Sequence, residues 1–243
     1  MIPSLMKSTF LAWNTIQTEL NRFRVLLFDF DGTIILSEGI AEQSTRAVFK
    51  MWGLDLQEQD AFAIVGKRWD AAVSLLATRY TLPCSESEAL RILTEHYFKS
   101  LSEQEVQLVP GVQTFLTKIR EAQIPFAIVS GSSRIEIEHV LQRLGWEAWP
   151  QFIIGAEDYT HSKPDPESFQ RALKRFHVQP QEALVFEDSE PGIRAARSAQ
   201  IPVLALTETS IVPQAWHEAN AGFPHFEALL EDEELARRVF ASV

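Results

Sequence analysis

An α/β fold, with a parallel sheet layered between helices, is predicted by three observations. Five short apolar runs recur along the chain, each closed by a polar cluster. The runs are rich in β-branched and aromatic residues and do not alternate, as suits strands covered on both faces. Amphipathic helical stripes separate the later runs, the pattern of βαβ units.

The elements follow in chain order. Met6, Phe10, Trp13, Ile16, Leu20 and Phe23 recur at steps of three and four. That spacing predicts an extra amphipathic helix over residues 1–22, packed on the core. Lys7, Asn14, Gln17 and Glu19 interrupt its hydrophobicity, which argues against a secretory signal. The first strand is predicted at Val25–Phe28 and ends at Asp29.

Residues 39–105 differ. "IAEQSTRAVFKMW", "WDAAVSLLATRY" and "ESEALRILTEHYFKSL" all read as helix, and no buried-strand run interrupts them. The segment is predicted to be a helical cap domain inserted after the first strand, with 1–38 and 106–243 forming the core. Placed over the sheet, it would serve as a lid that excludes water. Pro110-Gly111 marks the return to strand-and-helix alternation.

Val112, Phe115, Leu116 and Ile119 then form a helical stripe, followed by a strand at Phe126–Val129 that ends in Ser130. Ile135, Val140, Leu141 and Leu144 form a second stripe, with Gly145 as its C-cap. A strand at Phe152–Ile154 precedes a third stripe, Phe169, Leu173 and Phe176. Strands at Ala183–Phe186, ending in Glu187-Asp188, and at Val203–Leu206 complete the set. The tail "ALLEDEELARRVF" reads as an exposed terminal helix.

The 243 residues carry a net charge of −11, with no basic block. Nucleic acid and anionic membranes are therefore not expected as partners. No apolar run approaches the ~20 residues that span a bilayer. The single cysteine, Cys84, permits no intrachain disulfide and no thiolate zinc cluster, and it suits a reducing, cytoplasmic setting. The six histidines show no metal-ligand spacing.

In a parallel sheet, ligands collect beyond the carboxyl ends of the strands. Asp29, Ser130 and Glu187-Asp188 stand at three such ends and should converge on one rim. Asp29 and Asp31 lie two residues apart, and like charges that close demand a compensating cation. An N-cap or Asx-turn accounts for one aspartate of the pair. Ser130 and Asp188 read alternatively as helix caps, and Lys163 as a solvated lysine before a proline turn.

Four motifs, in order, carry a resemblance: "DFDGT" (Asp29–Thr33), "IVSGSS" with Ser130, "SKPDPESF" with Lys163, and "VFEDSEPGIRAA" with Glu187 and Asp188. Together they span roughly residues 24–207 and resemble the haloacid dehalogenase-like hydrolase superfamily. The subgroup they are most similar to holds β-phosphoglucomutase and sugar-phosphate phosphatases. The resemblance implies a Rossmann-like three-layer core and a Mg²⁺-dependent phosphatase. By it, Asp29 is the nucleophile that becomes an aspartyl phosphate, and Asp31 is general acid and then base. Mg²⁺ would be held by Asp29, the backbone carbonyl of Asp31, and Asp188, with Glu187 as a further ligand or an orienting group. Lys163 would set a cation against Asp29, and Ser130 would bind phosphate, helped by N–H groups near Gly131 and Ser132.

Departures refine the expectation. Leu36 stands where the mutase relative has an aspartate, and Ala41 where it has a histidine. Plain hydrolysis is therefore favoured over a mutase, which stays as the alternative. Asp31 argues against C–halogen cleavage, since the dehalogenases lack that aspartate. Lys67 and Arg68, after Gly66, read either as substrate contacts or as a solvated helix start. The expected substrate is a small phosphate monoester, of a sugar or polyol, and the expected state a monomer or weak homodimer. A non-catalytic phospho-ligand-binding protein is the competing reading from another class.

Overall fold

In a computed structural model, residues 23–210, 216–233 and 239–240 are described. The helix expected over residues 1–22 lies outside them. All five predicted strands form: β1 (Val25–Phe28), β2 (Phe126–Val129), β3 (Phe152–Ile154), β4 (Ala183–Glu187) and β5 (Val203–Leu206). A sixth, β6 (Ala221–Phe223), was not expected. Its three residues include a glycine and make no apolar run, so only pairing with β5, Leu204 against Ala221 through Leu206 against Phe223, defines it.

Every pairing is parallel, in the order β3-β2-β1-β4-β5-β6. That is the doubly wound, Rossmann-like order, whose crevice lies at the carboxyl ends where the winding reverses. β1 sits between β2 and β4, with Phe28 level with both Ile128 and Phe186. The residues that follow these three strands are thereby brought side by side.

Between β1 and the rest of the sheet the chain makes four helices: α1 (Glu38–Met51), α2 (Glu58–Ala63), α3 (Trp69–Arg79) and α4 (Glu86–Glu103). They share small cores of their own, one of Val48, Val73, Ala89 and Leu93, another of Phe49, Leu56, Ala61 and Leu76. Ser85 caps α4 by accepting from the Glu88 N–H. The outgoing and returning strands of this segment are bonded together: Leu36 N donates to Gln107 O at 2.8 Å and Val109 N to Ile34 O at 3.1 Å.

The other helices cover the sheet's two faces. α5 (Val112–Glu121) and α6 (Arg134–Leu144) supply Phe115, Ile119, Val140 and Leu141 to one face, against Leu26, Phe28, Ile128 and Phe186. α7 (Glu167–Phe176) and α8 (Glu190–Ser198) supply Phe169, Leu173, Ile193 and Ala196 to the other, against Leu27, Val129 and Val185. Alternate residues of each strand feed opposite faces, as the pleat requires. Each of these buried large apolar side chains contributes about 1.5–3 kcal/mol. A capping box of Ser133 and Glu136 starts α6, and Gly145, at φ +69°, ends it as expected.

The tail, expected as an exposed helix over Ala228–Phe240, departs from expectation where it is described, and residues 234–238 lie outside the described residues. α9 (Phe226–Glu231) is not an exposed helix: Phe226 and Leu229 are fully buried. Phe226 packs its ring among Phe28, Phe115 and Phe186. The charged residues of the tail masked a two-residue apolar face that closes one side of the core. No described helix is long and apolar enough to cross a membrane.

Candidate active site

The rim is built outward from β1. Asp29 still belongs to the ladder, its N–H bonding Phe186 O at 3.0 Å. Phe30 turns into the core, 1% exposed, so Asp29 and Asp31 flank a buried anchor. Gly32 then adopts φ +76°, the left-handed region that glycine enters freely. A Cβ at residue 32 would collide with the Asp188 carboxylate, so the absence of a side chain lets the chain turn directly against it. Thr33 Oγ1 donates to Asp188 Oδ1 at 3.4 Å.

Lys163 is the cation of the site. Its Nζ donates to Asp29 Oδ1 at 2.6 Å, to Glu187 Oε1 at 2.6 Å and to Val129 O at 3.1 Å. An ammonium has three N–H groups, so all are used. Burial alone would lower its pKa, but Asp29 and Glu187 outweigh burial and hold it protonated, above its ordinary value.

Glu187 is fully buried and completely engaged. Oε1 accepts from Lys163, while Oε2 accepts from Asp188 N at 3.0 Å and from Ser189 N and Oγ at 2.9 Å each. Gly192, in the first turn of α8, makes room for it, since a Cβ there would overlap the carboxylate.

Asp29, Glu187 and Asp188 each offer an oxygen within 4.8 Å of the others. Burial raises the Asp29 carboxyl well above its ordinary range, with Lys163 opposing and Glu187 and Asp31 adding to the rise. Asp188 is raised in the same way, by burial and then by Glu187 and Asp29. Within this cluster three carboxylates face one ammonium, two negative charges in excess. The residues therefore fit a divalent cation, and an all-oxygen donor set suits a hard one. With both Glu187 oxygens taken, Asp29 and Asp188 are the better-placed side-chain donors. A second cluster, His161, Asp165 and Glu167, was not anticipated from the histidine spacing. It is largely exposed, and Glu167 Oε2 there accepts from the N–H groups of Thr160 and His161.

Asp31 lies in a cage of hydroxyls. Oδ2 accepts from Ser132 Oγ at 2.5 Å and Ser130 Oγ at 3.4 Å. Oδ1 accepts from Ser37 Oγ and, at 3.5 Å, from Tyr97 OH. Ser130, 1% exposed, also accepts from Ser132 N at 3.0 Å, and its carbonyl accepts from Tyr159 OH at 3.0 Å. Ser130, Gly131, Ser132 and Lys163 all line one cavity with Asp29 and Asp31.

Ser37, Tyr97 and Tyr159 were missed in the sequence. Ser37 was adjacent to the first motif and detectable as a hydroxyl within a turn's reach of Asp31. Tyr97 and Tyr159 were not, because the fold alone brings them there. Lys67 and Arg68 both line the cavity. Arg68, however, spends its guanidinium on Asp70, through Nε at 2.8 Å and through Nη2, and on Ala156 O, through Nη1 at 3.2 Å.

The sequence and the fold are matched by known proteins. The sequence pattern of haloacid dehalogenase-like hydrolases fits residues 26–206. The chain belongs to that family. A bifunctional riboflavin kinase/FMN phosphatase of Arabidopsis thaliana is 29% identical over 184 residues, 74% of this chain and 48% of that protein. The chain thus spans about half of that longer relative. The fructose-1-phosphate phosphatase YqaB of Escherichia coli is 30% identical over 73% of this chain and 93% of its own length. Among solved structures, CbbY of Rhodobacter sphaeroides, in complex with a xylulose bisphosphate, superposes with a TM-score of 0.78 at 20% identity, covering 85% of this chain and 96% of that one. At that identity the likeness is one of fold. As a haloacid dehalogenase-like hydrolase, the chain has relatives named as phosphatases and one named as a pyrophosphatase.

Proposed function

We propose that this chain is a Mg²⁺-dependent phosphatase of small phosphate monoesters, of a sugar or polyol, working through an aspartyl phosphate on Asp29. The observation that carries the reading is the meeting of Asp29, Lys163 and Asp188, from three distant motifs, at one buried point. Unaided phosphate monoester hydrolysis is so slow that a phosphatase supplies up to about 10²¹-fold acceleration. A carboxylate nucleophile divides that task into two displacements at phosphorus.

Asp29 attacks phosphorus and the leaving oxygen departs, taking a proton from Asp31. A water molecule then attacks the aspartyl phosphate, and Asp31 accepts its proton. Ser130 and the N–H groups of Gly131 and Ser132 hold the phosphoryl oxygens. Lys163 offsets charge on Asp29 and the phosphoryl group. Asp29, the Asp31 carbonyl and Asp188 would hold Mg²⁺, which when bound neutralises phosphoryl charge and orients the group in line. Glu187 orients Lys163 rather than binding metal. The helical segment of residues 39–105 acts as a cap, closing the cavity against water. One cysteine and an acidic surface suit a cytoplasmic enzyme acting on soluble metabolites.

A phosphomutase is the second reading, and Ala41, where the mutase relative has a histidine, weighs against it. A phosphate-release screen across phosphorylated metabolites, with Mg²⁺ and with EDTA, tests the proposal. Release that requires Mg²⁺ supports it. Isomerisation of a hexose monophosphate without phosphate release would establish the mutase, and binding without turnover would establish a sensor.

A further inference from the structure

Asp188 is held through its backbone as well as its side chain. Its N–H bonds Glu187 Oε2 at 3.0 Å, and its carboxylate lies against Gly32 and accepts from Thr33 Oγ1 at 3.4 Å. Its backbone carbonyl accepts from the indole Nε1 of Trp216 at 2.9 Å, across 28 residues of chain. That carbonyl lies one residue ahead of the α8 ladder, which opens where Ile193 N donates to Ser189 O at 3.0 Å. Trp216 also stands beyond residues 26–206, the part of the chain that fits the family's sequence pattern.

The donor is itself anchored. Trp216–Glu218 makes a single turn of 3₁₀ helix beside α8. Arg194 Nε and Nη2 donate to Glu218 Oε1 at 3.0 and 2.9 Å, and Arg197 Nη1 donates to Glu218 O at 2.7 Å. Asn220 then ties the turn to the start of β5, its N–H bonding Val203 O at 2.9 Å and its Oδ1 accepting from Val203 N at 2.8 Å. The indole packs, half-buried, on the core between the sheet and α7 and α8. An N–H delivered from a braced turn has a fixed direction, so it fixes the plane of the peptide that follows Asp188. With the N–H of Asp188 bound on one side and its C=O on the other, the direction in which the carboxylate leaves the backbone is set.

We infer that Trp216 is a positioning residue for the divalent-cation site. It acts through Asp188, holding that backbone so that the Asp188 carboxylate meets the Asp29 carboxylate. It takes no part in the displacement at phosphorus. The inference rests on the metal-binding part of the phosphatase reading and adds a residue to it. A buried carbonyl needs a donor wherever it lies. If Trp216 served that need alone, its loss would lower stability and leave metal affinity unchanged, so the two roles separate in measurement.

Trp216→Phe keeps an aromatic ring and removes the N–H. Calorimetric titration of the full chain with Mg²⁺ should show a Kd raised about tenfold or more in the variant, the scale on which groups that orient metal ligands act. With p-nitrophenyl phosphate, the Mg²⁺ concentration for half-maximal rate should rise by the same factor, while kcat at saturating Mg²⁺ returns to within about twofold of wild type. A lowered melting temperature in EDTA with unchanged Mg²⁺ affinity would leave Trp216 a structural partner and overturn the inference. So would a rate loss that no Mg²⁺ concentration restores. If Trp216→Phe does not fold, Glu218→Ala, which loosens the same turn from α8, decides: Mg²⁺ binding weakened about threefold supports the inference, and unchanged binding overturns it. A wild-type chain that binds Mg²⁺ and releases phosphate, beside a variant of equal affinity, loses this inference alone. A wild-type chain that binds no Mg²⁺ loses the metal-dependent phosphatase reading with it.

Discussion

Lys163 Nζ lies 2.6 Å from Asp29 Oδ1, although 134 residues separate the two in the chain. The same ammonium touches Glu187, so one cation ties the ends of β1 and β4 to the turn before α7. The contact is buried, and its energetics differ from those of a surface ion pair. Desolvating three charges is costly, and the pairing is worth most to the two acids that would otherwise stand alone.

Asp29→Asn should abolish phosphate release, by about 10³-fold or more, because an amide is no nucleophile at phosphorus. The fold should survive and its melting temperature hold or rise, since burial already disfavours the Asp29 carboxylate. Parallel turnover and thermal-melting measurements check both halves. Wild-type rates in the purified Asp29→Asn variant would remove Asp29 from its role.

Replacing Lys163 with Met keeps the stem and deletes the charge. Asp29 and Glu187 would then be buried without a cation, a loss of about 3–5 kcal/mol that their protonation only partly relieves. Urea denaturation gives the number. A loss below about 1 kcal/mol, the scale of an exposed pair, would show that the site opens to water in solution.

Stability should depend on pH differently with and without metal. Asp29 and Asp188 bind protons more tightly in the folded, metal-free chain than when unfolded. For a raised acid the folded state holds more protons, so stability falls as pH rises from the ordinary value of 3.8 toward the raised ones. A divalent cation replaces those protons and removes the loss. Melting temperatures with Mg²⁺ and with EDTA should diverge as pH rises from about 5 to about 8. Curves that stay parallel would mean that no cation binds between these carboxylates.

Gly32→Ala should cripple the site more than the fold. The added Cβ meets the Asp188 carboxylate and must also sit at φ +76°, a conformation costing roughly 1 kcal/mol for alanine. Weakened Mg²⁺ binding in calorimetry, beyond what the stability loss explains, is the expected signature. Unchanged affinity would place Asp188 outside the metal site.

Much of this architecture was readable from residue order alone, for a physical reason. Strands buried on both faces must be continuously apolar, so Val25–Phe28 and Phe126–Val129 announced themselves, and their polar ends marked the rim. Parallel topology then did the gathering that brought Ser130 and Glu187 beside Asp29. What escaped was set by contacts between distant segments. β6 is too short to carry a pattern, and α9 hides Phe226 and Leu229 among charged neighbours. The cage around Asp31 escaped for the same reason: Tyr97 hangs from α4, 66 residues away, and nothing in its local sequence points toward a carboxylate. Glu187 illustrates the opposite limit. Its position was evident, but its saturation by Lys163 and three donors of the following turn was visible only in space.

The hydrogen bond between Leu36 and Gln107 holds the exit and re-entry of the four-helix segment 2.8 Å apart. Whatever lies between those two positions therefore enters the molecule through a single doorway. A different excursion spliced in there would leave the strand register to the sheet, but it would also take Ser37 and Tyr97 away from Asp31. A chimera joined at that doorway should keep the sheet and the cluster of Asp29, Lys163 and Asp188 of one parent, and the esters it turns over would measure how far the four helices govern selectivity.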